Sequence, residues 1–175
     1  MNFSFLQTLK LKTVVYLSFD APSQLFLEFL KEQNIQLKQI TGTKNPGLVQ
    51  KISEQLVIDA LHYLLDRRSY PVLVMCNLGR HRTGTVIGCL RRLQNWSLSA
   101  IFDEFRRFTG AKSSPQHEQF IELFDTELVA VPDDLEQLPF LKSSTDESLT
   151  AKKSLDKLPI PNVRIIKSSS FRNNY

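Results

Sequence analysis

Pro71-Val-Leu-Val-Met75 runs straight into Cys76-Asn-Leu-Gly79-Arg-His-Arg82-Thr-Gly84, so an apolar, β-rich stretch is followed by a cysteine, five residues and an arginine. The next segment, about Thr83 to Gln94, has helical patterning. A strand, a tight loop and a helix in that order make an anion cradle. Successive backbone N–H groups can curl inward as a nest, and the helix adds its N-terminal dipole. Gly79 suits the turn because it adopts positive φ without a Cβ penalty. A phosphoryl group spreads charge over three equatorial oxygens, and a site that attacks phosphorus needs donors converging on them with a nucleophile beneath.

The residue types match those roles. A cysteine at a helix N-terminus beside cationic groups ionises more readily than the free thiol, with a pKa of roughly 3.5 to 7.5 instead of about 8.5. Arg82 presents a planar, permanently charged fork that can clamp two phosphoryl oxygens. The Thr83 hydroxyl can donate to the sulfur when the thiolate leaves. The plainer alternative is a turn between a buried strand and a helix, with Cys76 as a small core residue. The central glycine, the Thr83-Gly84 pair and the strand-before, helix-after context favour the phosphate loop.

Several further stretches carry a resemblance. Gly79–Gly84 with Thr85–Gln94, Trp96, Phe102–Phe105, Arg107-Phe108, Ala111-Lys112, Phe120–Asp125, and at the start Asn2–Leu9 and Val14–Leu17, are similar to the plant and fungal atypical dual-specificity phosphatases. Among these the chain resembles most the fungal proteins linked to oxidant-induced cell-cycle arrest. The resemblance implies a cysteine-phosphatase fold, a phosphocysteine intermediate, and substrates that are phosphotyrosine proteins or inositol pyrophosphates. By position it makes Cys76 the nucleophile, Arg82 the clamp and Thr83 the thiolate partner. Asn77, Leu78, Gly79, Arg80, His81 and Gly84 complete the substrate-binding loop, with Arg80 and His81 as its basic rim.

Departures from the family pattern are informative. Met75 stands where relatives usually place histidine, and a thioether cannot make histidine's hydrogen bonds. Asn77 and Leu78 replace basic residues, which thins the rim for a highly charged substrate, and Ser114 replaces an arginine beyond Lys112. The segment Thr41–Gly47, where an aspartate general acid is expected, has no carboxylate, Thr43 and Gly47 standing in place of acidic residues. Of the nearest upstream acids, Glu54 and Asp59 read as a solvated helix face and Asp66 as structural. Without an acid, rates should follow leaving-group acidity: phosphoanhydrides first, phosphotyrosine next (tyrosine leaves with a pKa of about 10), phosphoserine hardly at all. The thinned rim argues against inositol pyrophosphates. Met75 and the missing acid also support a second reading, a phosphate-binding pseudophosphatase scaffold in a hetero-complex with related phosphatase-like proteins.

Composition fits a soluble cytoplasmic enzyme. The 175 residues, 42% of them hydrophobic, suffice for one sizeable core. No apolar run reaches 18 residues and no secretory leader is evident, so no membrane partner is expected. Two cysteines give no disulfide framework, and His62, His81 and His117 are too scattered for a metal site, so neither a metal nor another cofactor is expected. A net charge of +4 favours polyanions only mildly, and nucleic acid is not expected as a partner.

Short β-rich runs at Lys12–Leu17, Ile35–Ile40 and Pro71–Met75 alternate with helical periodicity at Leu25–Leu30 and Leu56–Leu64. Ser53 reads as an N-cap, and Ser114-Pro115 opens another helix. Helices are expected at about Thr83–Gln94, Leu98–Phe108 and Pro115–Leu128. The fold class is therefore α/β, a mainly parallel central sheet flanked by helices, with the Cys76 loop at a strand's carboxyl end. The phosphatase domain is expected over residues 1–129, without the edge strands that usually precede it in the family, and 130–175 as a flexible polar tail. Cys89, Trp96 and the Phe102, Phe105, Phe108 series read as core. Arg91-Arg92 and Arg106-Arg107 read as solvated faces rather than a polyanion surface.

Overall fold

Three four-residue strands organise the molecule. The computed structural model describes residues 2–41, 52–110 and 114–131. Strands β1 (Thr13–Tyr16), β2 (Gln36–Gln39) and β3 (Val72–Met75) form a parallel sheet in the order β2-β1-β3, with Tyr16 opposite both Gln39 and Met75. β1 is buried along its whole length, as the middle strand of a sheet covered on both faces must be. Successive side chains point to opposite faces. Val15, Val72, Val74 and Cys76 accordingly enter the larger apolar cluster, and Val14, Leu73 and Met75 the smaller one.

The smaller cluster is closed by α1 (Phe3–Thr8) and α2 (Gln24–Glu32) through Leu6, Phe26, Phe29 and Leu30. The larger lies under α3 (Glu54–Leu65), α4 (His81–Leu93), α5 (Leu98–Thr109) and α6 (Pro115–Leu123). The single core expected from composition is thus two clusters, one on each face of the same sheet. Ser53 caps α3 by accepting from Leu56 N–H at 3.2 Å, and Pro115 occupies the first turn of α6. The expected α6 is five residues too long. Phe124 turns extended, and Asp125 accepts from Glu127 N–H at 2.9 Å to start a separate 3-10 turn, Thr126–Leu128. The expected tail from residue 132 onward lies outside the described residues.

α4 is the hub, buried continuously from Thr83 to Arg91. Its two glycines permit close approach: a Cβ at Gly84 would meet the Phe105 ring at 2.9 Å, and one at Gly88 would meet Ile121 at 2.6 Å. Cys89 is fully buried in the larger cluster, as expected, and burial pushes its thiol well above the ordinary range. Three expectations about surface and core are corrected. Trp96 is 44% exposed rather than core, and its ring receives the Arg91 guanidinium at 4.3 Å. Phe102 is only partly buried against the core edge and Phe108 is half-buried, leaving Phe105 as the core member of that series.

The third concerns Arg91, Arg92 and Arg106, which are structural ties, while Arg107 is exposed as expected. Arg91 pairs bidentately with Glu104 of α5 at 2.9 Å, Arg92 donates to the Glu122 carbonyl at 2.9 Å, and Arg106 pairs with Glu118 of α6. Asp66 is structural as expected. It caps the 3-10 turn Arg67–Ser69, and the Arg68 side chain bonded to it holds its carboxyl below the ordinary range.

Gly88→Ala should overpack against Ile121, which is fully buried and cannot swing away. Overpacking costs ~1–3 kcal/mol, and alanine's helix propensity returns ~1 kcal/mol. A net loss of about 1 kcal/mol and a Tm lowered by a few degrees are expected in thermal denaturation; a raised Tm would mean that Ile121 gives way.

Candidate active site

The sheet register brings two strand ends together. Leu17 N–H, just past β1, donates to the Met75 carbonyl at 2.8 Å, so the chain leaving β1 runs beside the loop that leaves β3. Cys76 lies at the end of β3, 7% exposed, and Gly79 closes the first turn by donating N–H to the Cys76 carbonyl at 3.3 Å. Gly79 has φ 61°, the left-handed conformation expected of it, which a β-carbon would strain. Asn77 and Leu78 are exposed, and Arg80 is the residue before the helix.

α4 begins at His81, two residues earlier than the sequence pattern suggests, because Gly84 N–H already bonds the Arg80 carbonyl at 2.7 Å. His81, Arg82, Thr83 and Gly84 therefore form its first turn, where N–H groups point out along the axis toward the loop. All the expected site residues lie on this loop and turn. The Thr83 hydroxyl is buried without a hydrogen-bond partner. Such a group costs ~1–3 kcal/mol until something bonds it.

Arg82 is aimed by the chain that leaves β1. Arg82 Nη1 donates to the Leu17 carbonyl at 3.2 Å, and its guanidinium lies 5.2 Å from the centre of the Phe19 ring. Gln39, at the end of β2, fixes the same stretch by donating Nε2 to the Ser18 carbonyl at 2.9 Å and the Asp20 carbonyl at 3.2 Å. Met75 packs into the smaller cluster, with the opposite face of the sheet from Cys76.

Asn77 is held from both sides. The Tyr16 hydroxyl donates to Asn77 Oδ1 at 2.6 Å, and Asn77 Nδ2 donates to Asp20 Oδ2 at 3.3 Å. With a hydroxyl donating to Oδ1 and Asp20 Oδ2 accepting from Nδ2, the amide's orientation is fixed. Burial raises the Tyr16 phenol above its ordinary value. A hydrogen bond from Ser18 and the charge of Arg82 oppose the rise, and the charges of Cys76 and Asp20 add to it. Tyr16 therefore remains a donor. The Asn77 side chain, expected to face substrate, is engaged within this network.

A second pair backs the first turn of α4. His117 of α6 lies against His81, ring centres 4.9 Å apart, and stacks on Phe105 at 6.4 Å. Burial lowers its pKa, and the charges of His81 and Arg82 lower it further.

Tyr16, Phe19, Asp20, Gln39 and His117 are absent from the residues singled out by motif. A parallel sheet carries the signal for the first four, since whatever follows one strand's carboxyl end must flank the loop that follows its neighbour's. His117 has no such signal, because its approach depends on helix packing. The segment 42–51 and Lys112 lie outside the described residues. Among the described residues no group of three metal-ligating side chains occurs, and no helix is long and apolar enough to cross a membrane.

A model of the tyrosine phosphatase family matches residues 1–143. The chain belongs to the tyrosine phosphatase family. It is 52% identical over 130 residues to the putative tyrosine-protein phosphatase OCA1 of Mycosarcoma maydis, a match covering 74% of this chain and 82% of that one. It is 43% identical over 127 residues to the inositol diphosphatase DSP4 of Arabidopsis thaliana, covering 71% of this chain and 63% of the plant protein. Among solved structures, the core catalytic domain of the PP-IP phosphatase SIW14 from S. cerevisiae, crystallised with citrate, superposes with a TM-score of 0.67 at 39% identity over 81% of this chain and 84% of that one. The expected fold and family hold, and the chain is a phosphatase.

The depressed pKa of His117 means that the unfolded chain takes up its proton first as pH falls. This histidine's contribution is therefore complete above the unfolded value of about 6.5 and is lost as pH drops below it toward the folded pKa. Tm should fall from pH 7.5 to pH 5.5, and His117→Asn should flatten that part of the profile; an unchanged slope in the variant would place the sensitivity elsewhere.

Proposed function

We propose that this phosphatase works through a phosphocysteine. Cys76 Sγ attacks phosphorus and the bond to the leaving oxygen breaks. Arg82 and the inward N–H groups of the loop hold the three equatorial oxygens as charge develops. Water then attacks the phosphorus, the S–P bond breaks, and the Thr83 hydroxyl bonds the departing thiolate. The observation that supports this most is the shared placement of Cys76 and Arg82. The thiol is buried at the end of β3, and the guanidinium, in the first turn of α4, is held by the Leu17 carbonyl, with Gly79 in the left-handed turn between them in the chain.

The rim favours phosphotyrosine protein as substrate. Leu78 is 54% exposed, and Asn77 is occupied by Tyr16 and Asp20. A polyanion meets less positive charge here than a loop with two added basic residues would offer, while an aryl phosphate can lay its ring against Leu78 and Phe19. A second reading, hydrolysis of inositol pyrophosphates, draws support from the similarity to the inositol diphosphatase DSP4 and to SIW14.

Phosphate release from a phosphotyrosine peptide, an inositol pyrophosphate and a phosphoserine peptide, in reducing buffer, tests both readings. The phosphotyrosine peptide should turn over fastest and phosphoserine hardly at all. Cys76→Ser should abolish release, and Arg82→Lys should lower it by roughly 10²–10³-fold. No release from any of the three with phosphate binding intact would leave a scaffold; a faster inositol pyrophosphate would establish the second reading.

A further inference from the structure

A phenol leaving as its anion is a poor leaving group, with tyrosine near pKa 10, so hydrolysis of phosphotyrosine calls for a proton donor. Residues 41–53 contain neither Asp nor Glu. Asp66 is ion-paired with Arg68 in the segment leading into β3, at the end of the strand opposite Cys76. Asp59 accepts from Gln55 at 2.7 Å along α3. The proton has to come from another element.

Asp20 has the required position. It follows β1, which the register places level with the end of β3, and its backbone is pinned there: its carbonyl accepts from Gln39, and its N–H donates to Ser18 Oγ at 3.3 Å. Asn77, the residue next to the nucleophile, donates to one oxygen of its carboxylate. Asp20 is exposed, so a group beside it can depart to solvent. Asn77 in turn is fixed by Tyr16, whose phenol stays protonated. The Tyr16–Asn77–Asp20 chain thus orients a carboxyl at the mouth of the phosphate loop, and it explains why an amide follows the cysteine: a lysine or arginine there would pair with the carboxylate and hold it ionised.

We propose that Asp20 is the general acid of this enzyme. The inference rests on the phosphocysteine reading. As Cys76 Sγ bonds to phosphorus and the P–O bond to the leaving group breaks, the proton on Asp20 Oδ1 passes to the leaving oxygen. In the second step the Asp20 carboxylate takes a proton from the attacking water, the new O–P bond forms, and the S–P bond breaks to return the Cys76 thiolate.

The full chain is assayed on phenyl phosphate, which needs a proton on its leaving oxygen, and on 4-nitrophenyl phosphate, which does not. Asp20→Asn keeps the size and an acceptor for Asn77 but has no proton to give; Asp20→Ala removes both; Glu54→Gln tests the exposed carboxylate that opens α3. For Asp20→Asn, kcat/KM on phenyl phosphate should fall about 10²-fold or more while 4-nitrophenyl phosphate changes by less than about tenfold. Equal losses on both substrates, or full activity in Asp20→Asn with a loss only in Asp20→Ala, would make Asp20 a positioning residue and overturn the proposal. So would a selective loss in Glu54→Gln. Wild type inactive on both substrates, or active Cys76→Ser, would instead sink the phosphocysteine reading, and this inference with it.

Discussion

The parallel pairing of β1 with β3, Tyr16 opposite Met75, is the constraint on which the site depends. It sets two strand ends level, so the carbonyl of Leu17 is where Arg82 can reach it and the Tyr16 hydroxyl is where Asn77 can accept from it. A slip of one residue would turn Val15 and Leu17 out of the larger cluster and carry Tyr16 away from the loop. Burial on both faces of the sheet enforces the register, and the register aims Arg82.

α4 couples that geometry to the rest of the molecule. Its first turn carries Arg82 and Thr83, while Gly84, Gly88 and Arg91, farther along, set the approach of α5 and α6. Of the arginines that look like a basic surface in the sequence, Arg91, Arg92 and Arg106 are engaged by Glu104, the carbonyls that end α6, and Glu118. The phosphate cradle and the helical core share one helix, so the cradle inherits the core's rigidity.

How far the sequence could be read follows from how local each feature is. The Cys76–Gly84 loop, the positive φ at Gly79, the Ser53 cap and the three strands lie in contiguous residues, and each needs only its neighbours to form. Trp96 was misplaced because apolar character at the end of a helix does not say whether a ring points inward or lies under an arginine. The early end of α6 was missed because the turn at Phe124 is secured by Asp125, a capping side chain that has no hydrophobic period. Asp20 escaped notice for a different reason. It stands 56 positions before Cys76, outside the stretch where the expected acid was sought, and only strand order brings it to Asn77.

By itself the sequence determined the Cys76–Gly84 loop, the alternation of strands and helices and the family, since these rest on short-range patterns of turn, burial and charge. Tertiary structure alone decided what surrounds the loop: the Leu17 carbonyl and Phe19 against Arg82, the Tyr16–Asn77–Asp20 chain, and His117 behind His81. Those contacts join residues 57 to 65 positions apart, or 36 where His117 of α6 meets His81 of α4, and they exist because two parallel strands end at one level and a glycine-bearing helix lets its neighbours close in.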